Sequence, residues 1–103
     1  MEPRTQLKWF ANKMEDVLSA NDHKGGWSDV DIVELLENAE IAWQKMELEI
    51  GRAREGSGDF IIRRNMAIKK CCDVANFMMM IANNIQDEIV LREQVQKGVE
   101  EGP

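Results

Sequence analysis

Proline occurs only at positions 3 and 103, so nothing in the sequence forces a break in a helix between them. Apolar residues recur at helical spacing in three separate runs, and no segment alternates apolar and polar residues as a strand would. On a chain of 103 residues these runs predict one all-α domain with three main helices, or four if the last run breaks.

The first two runs predict two helices joined by a glycine loop. The first helix starts near Pro3, which suits a first turn, and stops near Asn21-Asp22. The second starts at Ser28, which with Asp31 resembles a capping box, and fades after Gly51. Its predicted core row has steps of four and three: Ile32, Leu36, Ala39, Trp43, Met46 and Ile50.

The third run predicts a helix that continues from Asp59 into the nineties or breaks at Asn83-Asn84, with a frayed tail at 97–103. Its predicted core row is Ile68, Cys71, Ala75, Met78, Ala82, Ile85 and Ile89. The segment REGSGD at 54–59 separates the two long helices, so we expect an antiparallel hairpin. A second copy would cover its apolar surface, giving a four-helix-bundle-like core in a homodimer or homotetramer.

The composition limits the classes of partner. The net charge is −6 and the pI is about 4.8, which argues against a general nucleic-acid binder because phosphate attraction needs a positive surface. The adjacent Cys71 and Cys72 indicate reduced thiols in a cytoplasmic protein. No signal peptide is expected, and the apolar run at 77–82 is too short to cross a membrane.

Asp73 and Asn76 lie one helical turn apart in the third run, on a mostly polar row that begins at Lys69. The row fits a solvated face in which Lys69 and Asp73 form an i,i+4 pair. It also fits a helix flank turned into a cavity, where carboxylate and amide oxygens suit a hard cation such as Mg²⁺. The residues alone leave both interpretations open.

Two further features carry candidate ligand groups. Glutamates recur along the second helix, as a solvated face or as further metal ligands: Glu34, Glu37, Glu40, Glu47 and Glu49. The loop HKGGW at 23–27 is a plain connection or a binding segment. In a binding segment the glycines would let backbone amides approach a ligand closely. Lys24 would contact a phosphate and Trp27 would stack on a base.

Together these blocks resemble the MazG-like all-α nucleoside-triphosphate pyrophosphohydrolases over about residues 7–85. The resemblance rests on NDHKGGW, on LLENAEIAWQKM and, most specifically, on CCDVANFMMMIANNI. It implies hydrolysis of a (d)NTP to a (d)NMP and pyrophosphate. It also implies Mg²⁺ held by E-x-x-E on one helix and E-x-x-D on the next.

The first of these acidic motifs fits the sequence in two registers. Counting from the glycine loop, the motif falls on Ala42 and Lys45, which keeps the core row in phase. A shift of five residues places it on Glu37 and Glu40 instead. In that second register Glu37, Glu40 and Asp73 would be the Mg²⁺ ligands of a pyrophosphohydrolase.

The second motif keeps Asp73 and Asn76, but Lys70 occupies the position of its glutamate. A lysine ammonium there repels a cation and pairs with the aspartate. The alternative function is therefore a degenerate homologue, in which Lys45 and Lys70 replace the metal charge and the site binds a nucleotide or another phosphorylated anion. A third hypothesis is a structural or regulatory helical oligomer.

Overall fold

The computed structural model describes residues 2–22, 25–56 and 58–100, without the side chains of residues 90 and 97–100. Over these residues the chain forms three α-helices and no strand: α1 (Thr5–Ala20), α2 (Ile32–Glu55) and α3 (Phe60–Glu100). The all-α prediction is confirmed. None of the described helical segments is long and apolar enough to cross a membrane.

The second helix begins and ends later than predicted. The Asp31 carboxylate accepts a hydrogen bond from the Val33 N–H at 3.0 Å, so Asp31 itself is the N-cap and the predicted cap at Ser28 is wrong. The helix continues through Gly51 to Glu55. It ends at Gly56, whose φ of 72° lies in the left-handed region that favours glycine.

The third helix is continuous through the predicted break at Asn83-Asn84. The Asp59 carboxylate caps it by accepting from the Ile61 and Ile62 N–H groups. Asn84 bonds to loop carbonyls rather than to its own helix, so it does not compete with the helical ladder. The backbone of 97–100 is still helical, and the rest of the predicted frayed tail lies outside the described residues.

The long third helix is the centre of the fold. The α2 and α3 helices run antiparallel and pack along each other. The α1 helix packs on α3 and does not contact α2. Because Trp9 lies beside Ile68 and Met14 beside Asn76, α1 runs in the same direction as α3. The radius of gyration is 18.2 Å, against about 13 Å for a compact domain of this length. The carboxyl-terminal part of α3 therefore extends beyond the other helices.

The core on α2 agrees with the predicted row in part: Ala39 is buried as predicted, and Ile32, Met46 and Ile50 are half-buried. Leu35, Ala39 and Ala42 are buried, whereas the predicted Leu36 and Trp43 are 48% and 51% exposed. The apolar row predicted on α3 is likewise open at its carboxyl-terminal half. Helical spacing puts two exposed residues on one flank of α2 and three on one flank of α3, and we call these five the apolar face: Leu36, Trp43, Met78, Ile85 and Ile89.

Candidate functional site

An open cleft of about 580 Å³ lies on the other side of the hairpin, between the end of α1, α2 and the middle of α3. It exists because α1 and α2 both pack on α3 but not on each other, which leaves α3 as the floor between them. The loop from Gly25 to Val30 closes one end. Six charged residues of the described ranges line the cleft: Asp22, Glu34, Lys45, Lys69, Lys70 and Asp73.

Two asparagines of α3 fasten the loop that closes the cleft. Asn84 Nδ2 donates to the carbonyls of Trp27 and Val30 at 3.1 and 3.3 Å. The Trp27 indole Nε1 donates to Asn83 Oδ1 at 3.0 Å. These bonds hold the loop beside residues 83–84, so the opposite end of the cleft lies nearer the amino terminus of α3.

Lysines cluster at that opposite end. Lys45 comes from α2, and Lys69 and Lys70 come from the antiparallel stretch of α3. Lys70 Nζ lies 3.6 Å from Asp73 Oδ2, which makes an i,i+3 ion pair with both side chains about three-quarters buried. Neither Lys45 nor Lys69 has an ion-pair partner in the part of the chain described by the structure. This end of the cleft therefore carries a local surplus of positive charge.

Asn76 lies deeper in the cleft and is only 3% exposed. Its Nδ2 donates to the Met14 carbonyl at 3.2 Å, which ties α1 to α3. Its Oδ1 is buried and has no hydrogen-bond partner among the described residues. An unpaired buried acceptor costs free energy, so this oxygen favours a ligand or water that donates to it.

Carboxylates line the end of the cleft nearest the loop. Glu34 comes from the first turn of α2 and Asp22 from the segment that follows α1. Sequence reasoning placed Glu34 only in a run of glutamates and did not assign it to the site. The available signal was spacing, because Glu34, Ala42 and Lys45 lie on one flank of a helix of 3.6 residues per turn.

The structure brings five of the eight predicted site residues together. These five line the cleft: Trp27, Lys45, Lys70, Asp73 and Asn76. Glu37 and Glu40 are exposed on α2 and do not line it. Lys24 lies outside the described residues.

The two registers of the first motif therefore differ in position. Ala42 and Lys45, the positions of the first register, both line the cleft with Asp73. The positions of the second register face solvent. Over the described residues, no three carboxylate, thiol or imidazole groups are arranged to hold a metal ion.

The adjacent cysteines are both free thiols, but they differ in burial. Cys71 is half-buried, whereas Cys72 is 1% exposed. Burial in an apolar setting raises the pKa of the Cys72 thiol, and nearby Cys71 and Asp73 add to the rise. Cys72 is therefore a neutral core residue at physiological pH rather than a nucleophile.

Comparison of the chain with models of protein families, with curated proteins and with solved structures gives no match.

Proposed function

We propose that the cleft binds a nucleotide or another small phosphorylated anion, on a MazG-like helical scaffold, with lysine ammonium groups in place of a metal ion. The observation that carries the proposal is the meeting of Lys45, Lys69 and Lys70 at one end of the cleft. Lysine is a common phosphate ligand in proteins, and two of these three have no carboxylate partner among the described residues.

Mg²⁺ does not suit this set of side chains. The only acidic position kept from the implied motifs in the cleft is Asp73, and Lys70 lies 3.6 Å from it. Lys45 lines the same cleft, so a divalent cation would meet ammonium charge from two helices. The two glutamates that would help to bind the ion, Glu37 and Glu40, are exposed elsewhere on α2. We therefore propose metal-independent binding.

Hydrolysis of a (d)NTP to a (d)NMP and pyrophosphate is the second candidate function. It is favoured by the position of Asp73, the one carboxylate that matches the family's second motif, inside the cleft. Pyrophosphate release from a panel of NTPs and dNTPs with Mg²⁺ or Mn²⁺ tests it. Turnover that Asp73→Ala abolishes would establish the enzyme and replace the binding proposal.

Binding itself is tested with tripolyphosphate and nucleotides in calorimetry and thermal-shift experiments, with and without EDTA. We expect binding that EDTA leaves unchanged and that Lys45→Ala weakens by about tenfold, the usual effect of losing a charge-assisted hydrogen bond. Lys8→Ala is the matched control because Lys8 pairs with Glu2 on the surface and does not line the cleft. Equal losses in both variants, or no binding by the wild type, would refute the proposal.

We also propose that two copies of the chain pair through the apolar face in a cytoplasmic homodimer or homotetramer. Trp43 and Met78 are 51% and 47% exposed, and large contiguous apolar surfaces on a soluble domain mark interaction sites. A second hairpin laid on this face would complete a four-helix core. The cleft opens on the other side, so assembly would leave it accessible.

A further inference from the structure

The charged groups of the cleft are sorted along its length. Glu34 and Lys45 are about three turns of α2 apart, which is roughly 16 Å along the helix axis. Glu34 lies near the asparagine-fastened loop, and Lys45 lies toward Lys69 and Lys70. Among the described residues the cleft therefore has one end where lysines outnumber Asp73 and another end whose charged groups are carboxylates.

Among the described residues beyond the lysines, the charged groups of the cleft are carboxylates. Asn76 presents a buried Oδ1 with no partner in the described chain, while its Nδ2 is already bonded to Met14. Asp22 and Glu34 add two carboxylates at the loop end. The Trp27 indole N–H, which belongs to the loop at this end, is bonded to Asn83. A molecule lying along the cleft would meet ammonium groups at one end and carboxylates at the other.

We infer that the ligand lies lengthwise, with phosphate at Lys45 and Lys69 and an amine-bearing group at Glu34 and Asp22. This rests on the proposed phosphate-binding function and adds the orientation of the ligand and the class of its distal group. For a nucleotide, the distal group is a base with an exocyclic amine rather than a carbonyl. A carboxylate accepts from the cytosine N4 amine and repels the oxygen at the same position of uracil.

Glu34 and Asp22 are thus specificity-determining residues that no acidic motif of the sequence indicates. The inference does not require both carboxylates to touch the ligand, because either could accept one amine hydrogen. Replacement of both by their amides removes the charge and keeps the side-chain shape. Glu34 makes no side-chain hydrogen bond or ion pair with another described residue, so the fold should tolerate the change.

The experiment compares the dissociation constants of CTP, UTP and tripolyphosphate for the wild type and for the double variant Glu34→Gln, Asp22→Asn. We expect the wild type to bind CTP about tenfold more tightly than UTP, and the double variant to bind the two alike. Tripolyphosphate affinity should not fall in the double variant. Glu47→Gln is the matched control, because Glu47 is exposed on α2 outside the cleft.

Equal affinity of the wild type for CTP and UTP would overturn the inference, as would a preference for CTP that survives in the double variant. Neither result would contradict the proposed binding of phosphate at the lysines. Failure of the proposed function has a different signature, since tripolyphosphate would then not bind or would ignore Lys45→Ala.

Discussion

The two sides of the α2–α3 hairpin expose different chemistry. The cleft side presents Lys45, Lys69 and Asp73 around a gap that α1 leaves open. The apolar face presents Trp43 and Met78, each about half exposed, with no helix over them in the described chain. The same two helices therefore expose one charged surface that is costly to remove from water and one apolar surface whose burial is favourable.

This contrast assigns different roles to the two sides. A dimer core built on the cleft side would have to desolvate three lysines, and buried ions cost several kcal/mol each unless paired. The apolar face carries no such penalty, and its row continues through Ile85 and Ile89 onto the part of α3 that extends beyond α2. This difference supports the proposal of assembly on the apolar face and small-molecule binding in the cleft.

The largest expected effect comes from placing a charge on the apolar face. Trp43→Glu should weaken self-association by about 2 kcal/mol or more, roughly a 30-fold change in the dissociation constant, because a central aromatic is lost and a carboxylate is buried. Sedimentation velocity measures the change.

Leu48→Glu is the control for that variant. Leu48 is 54% exposed on the same helix but does not belong to the apolar face. Its substitution should leave the sedimentation coefficient unchanged. A wild-type chain that sediments as a monomer at all accessible concentrations would contradict the proposed role of the apolar face.

A second change would convert the cleft from a cationic to a metal-binding site. The triple variant Ala42→Glu, Lys45→Glu, Lys70→Glu places carboxylates at the two first-register positions and at the glutamate position of the second motif, which precedes Asp73. We expect Mg²⁺ affinity to rise at least about tenfold, which is about 1.4 kcal/mol, as measured by calorimetry. A variant with Glu only at positions 45 and 70 shows whether Ala42 matters. Unchanged Mg²⁺ affinity in the triple variant would count against the first register.

The helices and the hairpin were predictable because periodicity and the segment 54–59 are local signals. The packed face of α2 was predicted only in part. Leu36 and Trp43 were wrongly included because they lie one residue from the buried Leu35 and Ala42 and are as apolar. Which row is covered depends on where α3 lies, and the periodicity of α2 does not contain that information. The cleft is a gap between α1 and α2, and its lining comes from segments that are distant in the sequence. No sequence motif therefore marked Glu34 as a residue of the cleft.

A smaller effect is expected at the seam between the two sides, where Glu49 is 5% exposed. Its Oε1 accepts from Arg52 Nη1 at 2.7 Å, while its Oε2 is buried without a partner in the described chain. Arg52→Ala leaves this carboxylate unpaired and should lower the free energy of unfolding by about 1 kcal/mol, since Arg52 is partly exposed. Urea denaturation measures it. Arg54 is an exposed arginine in the same last turn of α2, so Arg54→Ala should not lower the free energy of unfolding comparably. Equal decreases in both variants would show that the effect comes from positive charge at the end of the helix.

The smallest effect separates the two cysteines through pH. Burial raises the pKa of Cys72 above its ordinary value of 9.0, so above that pH the unfolded chain loses a thiol proton that the folded chain keeps. The folded state then binds more protons, and stability falls as pH rises through that range. Urea denaturation at pH 8 and pH 10 should show a smaller decrease for Cys72→Ala than for the wild type. The matched variant Cys71→Ala, at a half-buried position, should keep the wild-type decrease, and an identical pH dependence in all three chains would show that Cys72 ionises freely in the fold.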